Sequence, residues 1–164
     1  MTSAPAHCPL VADGDLRDIL APVARSDGRI ALRGTAVSLD GRAILLAGRS
    51  GAGKTSLAAE LIVQAGACLV SDDLVLASHV DGGVGVASPG TVPARIELRG
   101  IGLVPVPAGG IAPLAAILLL APSARRLPAS EHVSLFGRQV ELLRHPPHPA
   151  LAAKIALWLR AFGA

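Results

Sequence analysis

The chain has 164 residues, a net charge of +3 and 51% hydrophobic content, which suits one domain with a real core. Aromatic residues make up only 2% and Tyr is absent, so that core must be built from Ala, Val, Leu and Ile. The mild positive excess contains no Lys/Arg run and almost no aromatic side chains to stack on bases, which argues against a nucleic-acid-binding module.

Cys8 and Cys68 lack metal-type spacing and do not make a disulfide framework; Cys68 lies in an apolar run and reads as a reduced core residue. The N-terminus has neither the basic start nor the continuous apolar stretch of a signal peptide. The most apolar run, residues 111–121, is too short to span a bilayer and contains Pro113. A cytoplasmic protein with no membrane association is expected.

In chain order, residues 1–28 read as a loose N-terminal segment, with a short helix allowed over 15–24, and residues 29–164 as the domain proper. Residues 29–39 alternate as a strand, Asp40-Gly41 is a hairpin turn signal, and residues 42–47 return as the partner strand. Residues 55–65 are helical and end at Gly66. Residues 67–71 form a buried strand ending in Asp72-Asp73, and 74–78 and 84–87 form a strand pair around Asp81-Gly82-Gly83. Residues 94–99 read as either a helical turn or an extended segment, and 101–106 as a short strand. Residues 113–121 are apolar on both faces, the mark of a central strand. A polar loop carrying Arg125 and Arg126 follows, then a second hairpin around Phe136-Gly137. The prolines of residues 145–149 forbid regular structure, leaving His145 and His148 at the surface. A C-terminal helix over 150–162 carries an apolar stripe of Leu151, Ile155, Trp158, Leu159 and Phe162.

The most specific stretch is Gly48-Arg49-Ser50-Gly51-Ala52-Gly53-Lys54-Thr55, which matches G-x-x-x-x-G-K-[ST] between a strand and a helix. Backbone N–H groups of such a loop point inward and cradle polyphosphate. The lysine ammonium reaches the phosphate oxygens, and the threonine hydroxyl coordinates Mg²⁺. The helix N-terminus adds partial positive charge beneath the phosphates. A Gly-rich turn matching by chance would not bring the strand, the lysine and the helix with it.

Asp72 and Asp73 end a buried strand, where a phosphoryl-transfer enzyme keeps its acidic groups. One carboxylate there can hold the metal or its water and the other can take a proton from an attacking hydroxyl. On an extended chain the two point to opposite faces. By itself Glu97, in Arg95-Ile96-Glu97-Leu98-Arg99, reads first as a solvated residue paired to a neighbouring arginine, and Arg126 as surface.

Taken in order, these segments resemble HPr kinase/phosphorylase in its C-terminal catalytic domain. The Gly48 to Thr55 loop, Leu69-Val70-Ser71-Asp72-Asp73, the E-x-R-G-x-G pattern beginning at Glu97, Arg126-Leu127-Pro128, and Ala153-Lys154 before an apolar run carry the likeness over residues 30–160. The resemblance implies an α/β fold of the HPr kinase and phosphoenolpyruvate carboxykinase type, with a mixed sheet and flanking helices. It implies an ATP- and Mg²⁺-dependent kinase acting on a serine of an HPr-type phosphocarrier protein, with a reverse phosphorylase activity in many members. By the resemblance Asp72 is the base on the serine hydroxyl, Lys54 binds the phosphates, Thr55 and Glu97 hold Mg²⁺, Asp73 supports the metal or its water, and Arg126 meets transition-state charge. Arg33 stands where the family usually carries His, and residues 145–149 replace a basic segment of the long members. Long members are hexamers, so a homo-oligomer is an open expectation. Two other readings remain at this point: a related kinase with a different acceptor, and an ATP-sensing module without efficient transfer.

Overall fold

A computed structural model of the chain describes residues 14–90, 92–122, 126 and 130–162. Cys8, Arg125, Leu127 and Pro128 lie outside the described residues, as does the segment before Gly14.

The order of elements is α1 (Gly14–Ile19), β1 (Ala24–Ser26), β2 (Arg29–Arg33), β3 (Thr35–Leu39), β4 (Arg42–Ala47), α2 (Lys54–Ala65), β5 (Cys68–Ser71), β6 (Leu74–Val80), β7 (Gly83–Ala87), β8 (Arg95–Leu98), β9 (Gly102–Pro105), β10 (Ala112–Leu120), β11 (Glu131–Leu135), β12 (Arg138–His145) and α3 (Leu151–Phe162). Among the described residues ten strands join in one mixed sheet and β8 pairs with β9 separately.

The main sheet has two halves. In one, β1, β2, β6 and β7 pair antiparallel in that order. In the other, β5, β3, β4, β10, β12 and β11 lie side by side, with β10 parallel to both β4 and β12. β10 links the halves, because its first residues pair with β7 and its later ones with β4 and β12.

The side-chain alternation of the central strands explains the layering. Ala43, Leu45 and Ala47 of β4 and Ile117 and Leu119 of β10 face one core, shared with Leu32, Val75, Ala77 and Val86 of the first half. Ile44 and Leu46 of β4 and Ala116, Leu118 and Leu120 of β10 face a second core, filled by Leu57, Ala58 and Leu61 of α2 and Leu151, Ile155 and Leu159 of α3. The result is sheet half on sheet half on helices. Residues 43–47 are fully buried because both of their faces are covered.

The hairpin signals hold. Asp40 and Gly41 both have positive φ, 51° and 79°, as a two-residue type I′ connection requires, and Leu39 pairs with Arg42. Phe136 and Gly137 do the same between β11 and β12, at 52° and 71°. The segment 94–99, left between helical turn and extended, contains strand β8.

Three expectations are corrected. Residues 14–26 are not loose: Leu16 of α1 is 3% exposed in the first core, and β1 pairs with β2. The apolar side of the short helix and a free sheet edge give that segment somewhere to dock. Residues 29–39 are two strands, not one, because the chain turns at Gly34 from one sheet half into the other. Phe162 does not continue the α3 stripe; it is exposed past the end of the core, and Ala152 and Ala156 fill the face beside Ile155 and Leu159.

Candidate active site

β3 runs antiparallel to both β4 and β5, so β4 and β5 point the same way; β10 and β12 share that direction. The loops after β4, β5, β10 and β12 therefore leave the sheet at one edge. These loops carry residues 48–53, Asp72-Asp73, Arg126 and His148 respectively, and the C-terminal ends of strands are where open α/β sheets take their ligands.

The glycine-rich loop sits between β4 and α2, as its motif requires. Gly53 has φ 100°, a left-handed conformation open to glycine at little cost, and it caps α2, whose N-terminus carries Lys54 and Thr55. At the far end Gly66 is left-handed too, and N–H groups of Gly66 and Ala67 close on Ile62 and Leu61 carbonyls. Gly48 is tightly enclosed: a Cβ there would meet Ala52 Cβ at 3.1 Å and the Leu120 carbonyl oxygen at 3.3 Å. Pro147 approaches Gly53, so the segment after β12 lies against the loop. Arg49 and Ser50 are exposed at its tip with Gly51, while Ala52 is half-buried.

Lys54 folds back over the loop and donates to the carbonyls of Gly48 and Arg49, both at 2.9 Å. Burial pushes its pKa below the ordinary 10.5, and the carboxylates of Asp73 and then Asp72 pull it back up. Lys54, Asp72 and Asp73 thus form one electrostatic group.

The two aspartates sit at a crease. Both β2–β3 and β5–β6 pass from one sheet half to the other, and they do so side by side: Arg33 pairs with Leu74, Ala36 with Ser71, and Gly34-Thr35 faces Asp72-Asp73 between them. Gly34 N–H donates to the Asp73 carbonyl at 3.0 Å. Asp73 has φ 68°, and Leu74 N–H donates to the Asp72 carbonyl at 2.9 Å, which makes a tight three-residue turn centred on Asp73. The aspartates are therefore not on an extended chain with opposed side chains, as alternation predicts; the turn lets both bear on Lys54.

Asp72 is half-buried and Asp73 exposed. Asp72 Oδ1 accepts the Thr35 hydroxyl at 2.8 Å and the Asp73 N–H at 3.1 Å. Thr35 is 1% exposed. Nothing in the sequence around Thr35 marked it, since its partner lies 37 positions away. Arg33 is exposed beside the crease.

Glu97 lies on the β8–β9 hairpin, exposed, next to Ile96, which is buried against Leu57 and Leu61 of α2. Hydrogen bonds between Leu69 and residues 107 and 109 tie the chain after the hairpin to β5. Among the described residues no three of His, Cys, Asp and Glu gather as a metal cluster, so Glu97 is not in a closed cage with Asp72 and Asp73. Arg126 is exposed on the loop that follows β10. His145 is more than a surface residue: its Nδ1 lies 2.6 Å from the Pro146 carbonyl and its Nε2 3.1 Å from Lys154 Nζ of α3. His148 Nδ1 accepts the Ala150 N–H at 3.0 Å ahead of that helix.

Comparison with known proteins agrees with this construction. The family described as HPr Serine kinase C-terminal domain matches residues 26–109, about half of the chain, including the loop, the aspartates and Glu97. A protein named HPr kinase/phosphorylase from Mycoplasmopsis pulmonis is 42% identical over 78 residues, 48% of this chain and 25% of its own length. One of the same name from Clostridium beijerinckii is 40% identical over 91 residues, 56% of this chain and 28% of its own length. The matched stretch is about a quarter of these relatives. In shape, the chain is similar to the Hpr(Ser) kinase/phosphatase from Coxiella burnetii, with a TM-score of 0.70 and 21% identity, covering 79% of this chain and 93% of that one. That likeness establishes the shared fold.

Proposed function

This chain belongs to the HPr Serine kinase C-terminal domain family, and from that footing we propose that it transfers the γ-phosphate of ATP to a serine of an HPr-type phosphocarrier protein, in the cytoplasm. The observation that carries the reading is the pairing of a glycine-rich loop holding Lys54 with Asp72 on the same sheet edge, coupled through charge. A module that only senses nucleotide has no need of a positioned carboxylate beside its lysine.

In this reading the backbone of residues 48–53 and the N-terminus of α2 receive the β- and γ-phosphates, and Lys54 moves from its loop carbonyls onto phosphate oxygen. Asp72 receives the serine proton as the serine oxygen bonds to the γ-phosphorus. The bond from that phosphorus to the bridging oxygen breaks, ADP leaves, and the proton passes from Asp72 to solvent. Arg126 supplies mobile positive charge for the transferring group.

The oxygen donors Thr55, Asp73 and Glu97 fit Mg²⁺ by chemistry, and an ion of this kind takes its remaining ligands from phosphate and water rather than from a closed protein cage. When bound it would neutralise charge on the phosphates. Arginine, unlike histidine, is not a proton carrier, so with Arg33 at the crease Asp72 is the group that would take the proton in the forward direction and return it in a reverse one.

Incubation with ATP, Mg²⁺ and an HPr-type protein should yield a serine phosphoester by mass spectrometry that is absent with Asp72→Ala. Tight ATP binding without transfer to that acceptor would overturn the substrate assignment.

A further inference from the structure

We infer that Thr35 is the positioning residue for Asp72, and that it divides the carboxylate into a held oxygen and a reacting one. The inference rests on the reading of Asp72 as the base.

Oδ1 accepts two hydrogen bonds, from the Thr35 hydroxyl at 2.8 Å and from the Asp73 N–H at 3.1 Å. Among the described residues Oδ2 accepts none that rivals them. A carboxylate oxygen that already accepts two donors is held with its acceptor sites filled, which leaves the partner oxygen open to take the proton. One donor comes from strand β3 and the other from the turn between β5 and β6, and both are themselves fixed. Thr35 opens β3, is 1% exposed, and is β-branched, so its χ1 is stiff. The Asp73 N–H is aimed back by the tight turn at φ 68°, and that turn is anchored by Gly34 N–H on the Asp73 carbonyl and Leu74 N–H on the Asp72 carbonyl.

Of these contacts only the Thr35 hydroxyl reaches Asp72 from another strand. The Asp73 N–H belongs to the adjoining turn and by itself holds the carboxylate at a single point. Removing the hydroxyl leaves the carboxylate with one of its two hydrogen bonds and looser about χ1 and χ2, so Oδ2 loses its fixed position. A positional error of this kind acts on the chemical step and leaves the nucleotide phosphates in their cradle.

The test compares Thr35→Val, which keeps the shape and loses the donor, with Thr35→Ser, which keeps the donor. Transfer to an HPr-type acceptor is measured with full ATP titrations, and melting temperature alongside. Thr35→Val should lower kcat by roughly ten- to a hundredfold with the KM for ATP held within about twofold. Thr35→Ser should recover kcat to within about threefold of the parent. Equal kcat in Thr35→Val and the parent overturns the inference. So does a loss in which kcat and KM move together, melting falls and Ser gives no rescue, the pattern of a purely structural residue. Should Thr35→Val not fold, Thr35→Cys, a weak donor of similar size, takes its place and should give an intermediate kcat. Asp72→Asn is run in parallel: if it transfers as fast as the parent, the reading of Asp72 as base fails and takes this inference with it. If it is inactive while Thr35→Val is normal, only the positioning role falls.

Discussion

Gly34 donates its N–H to the carbonyl oxygen of Asp73 over 3.0 Å, and this bond joins the two creases at which the chain passes between sheet halves. Residue 34 also packs closely on β4, which it can do because it has no side chain. A Cβ there would lie 2.7 Å from the Leu46 carbonyl oxygen and 2.9 Å from Leu45 Cδ1. Backbone cannot yield as a flexible side-chain tip can. Gly34→Ala should therefore cost ~1–3 kcal/mol by overpacking. Urea denaturation measures it; a midpoint equal to the parent's would mean that the crease is looser than described.

The left-handed turn at Asp73 makes a second prediction. Asn adopts φ near +68° readily, whereas a β-branched residue does not. Asp73→Asn should keep stability within ~0.5 kcal/mol, while Asp73→Val should lose ~1–3 kcal/mol. Equal midpoints for the two variants would show that the turn imposes no strain.

Charge on Lys54 gives a pH prediction. Burial lowers its pKa below 10.5, and Asp73 and Asp72 oppose that shift, Asp73 the more strongly. Replacing Asp73 by Asn should lower the Lys54 pKa further, and Asp72→Asn should lower it by less, as read by NMR titration of the Lys54 side chain. The linkage follows in sign. The folded chain binds this proton less tightly than the unfolded chain, so across the window between the lowered value and 10.5 the Lys54 contribution to stability rises with pH. Below that window Lys54 is charged in both states and adds no slope. A Lys54 pKa that rises in Asp73→Asn would contradict the coupling.

The β8–β9 hairpin sets a buried residue directly beside an exposed one. Ile96 is 1% exposed in the second core and Glu97 is exposed beside it. Ile96→Ala should cost ~2–5 kcal/mol in thermal or denaturant unfolding. Glu97→Gln should leave stability unchanged within ~0.5 kcal/mol, and should raise the Mg²⁺ concentration for half-maximal transfer by roughly tenfold if Glu97 serves the ion. An unchanged Mg²⁺ requirement in Glu97→Gln would remove it from the site.

Much of this was legible in the sequence because it is written locally. Asp40-Gly41 and Phe136-Gly137 mark hairpins through φ alone, residues 48–55 declare a strand-loop-helix unit, and the uninterrupted apolar run of β10 says that both its faces are covered. What was not legible depends on distant partners. Gly34 sits in an alternating run and looks like an ordinary strand glycine until Leu46 is placed against it. Thr35 is unremarkable until Asp72 arrives from β5. The alternation rule put Asp72 and Asp73 on opposite faces because it assumes an extended chain, and the crease breaks that assumption. The link between His145 and Lys154 joins a strand end to a helix and has no sequence signature.

The central claim is that nucleotide held by residues 48–55 gives up its γ-phosphate to a hydroxyl deprotonated by Asp72. Single-turnover transfer from γ-labelled ATP to an HPr-type acceptor, measured with ATP affinity in the parent and in Asp72→Asn, tests it most directly. The account predicts ATP affinity within about threefold and transfer slowed by roughly a hundredfold or more in the variant. Transfer in Asp72→Asn at the parent's rate would contradict it.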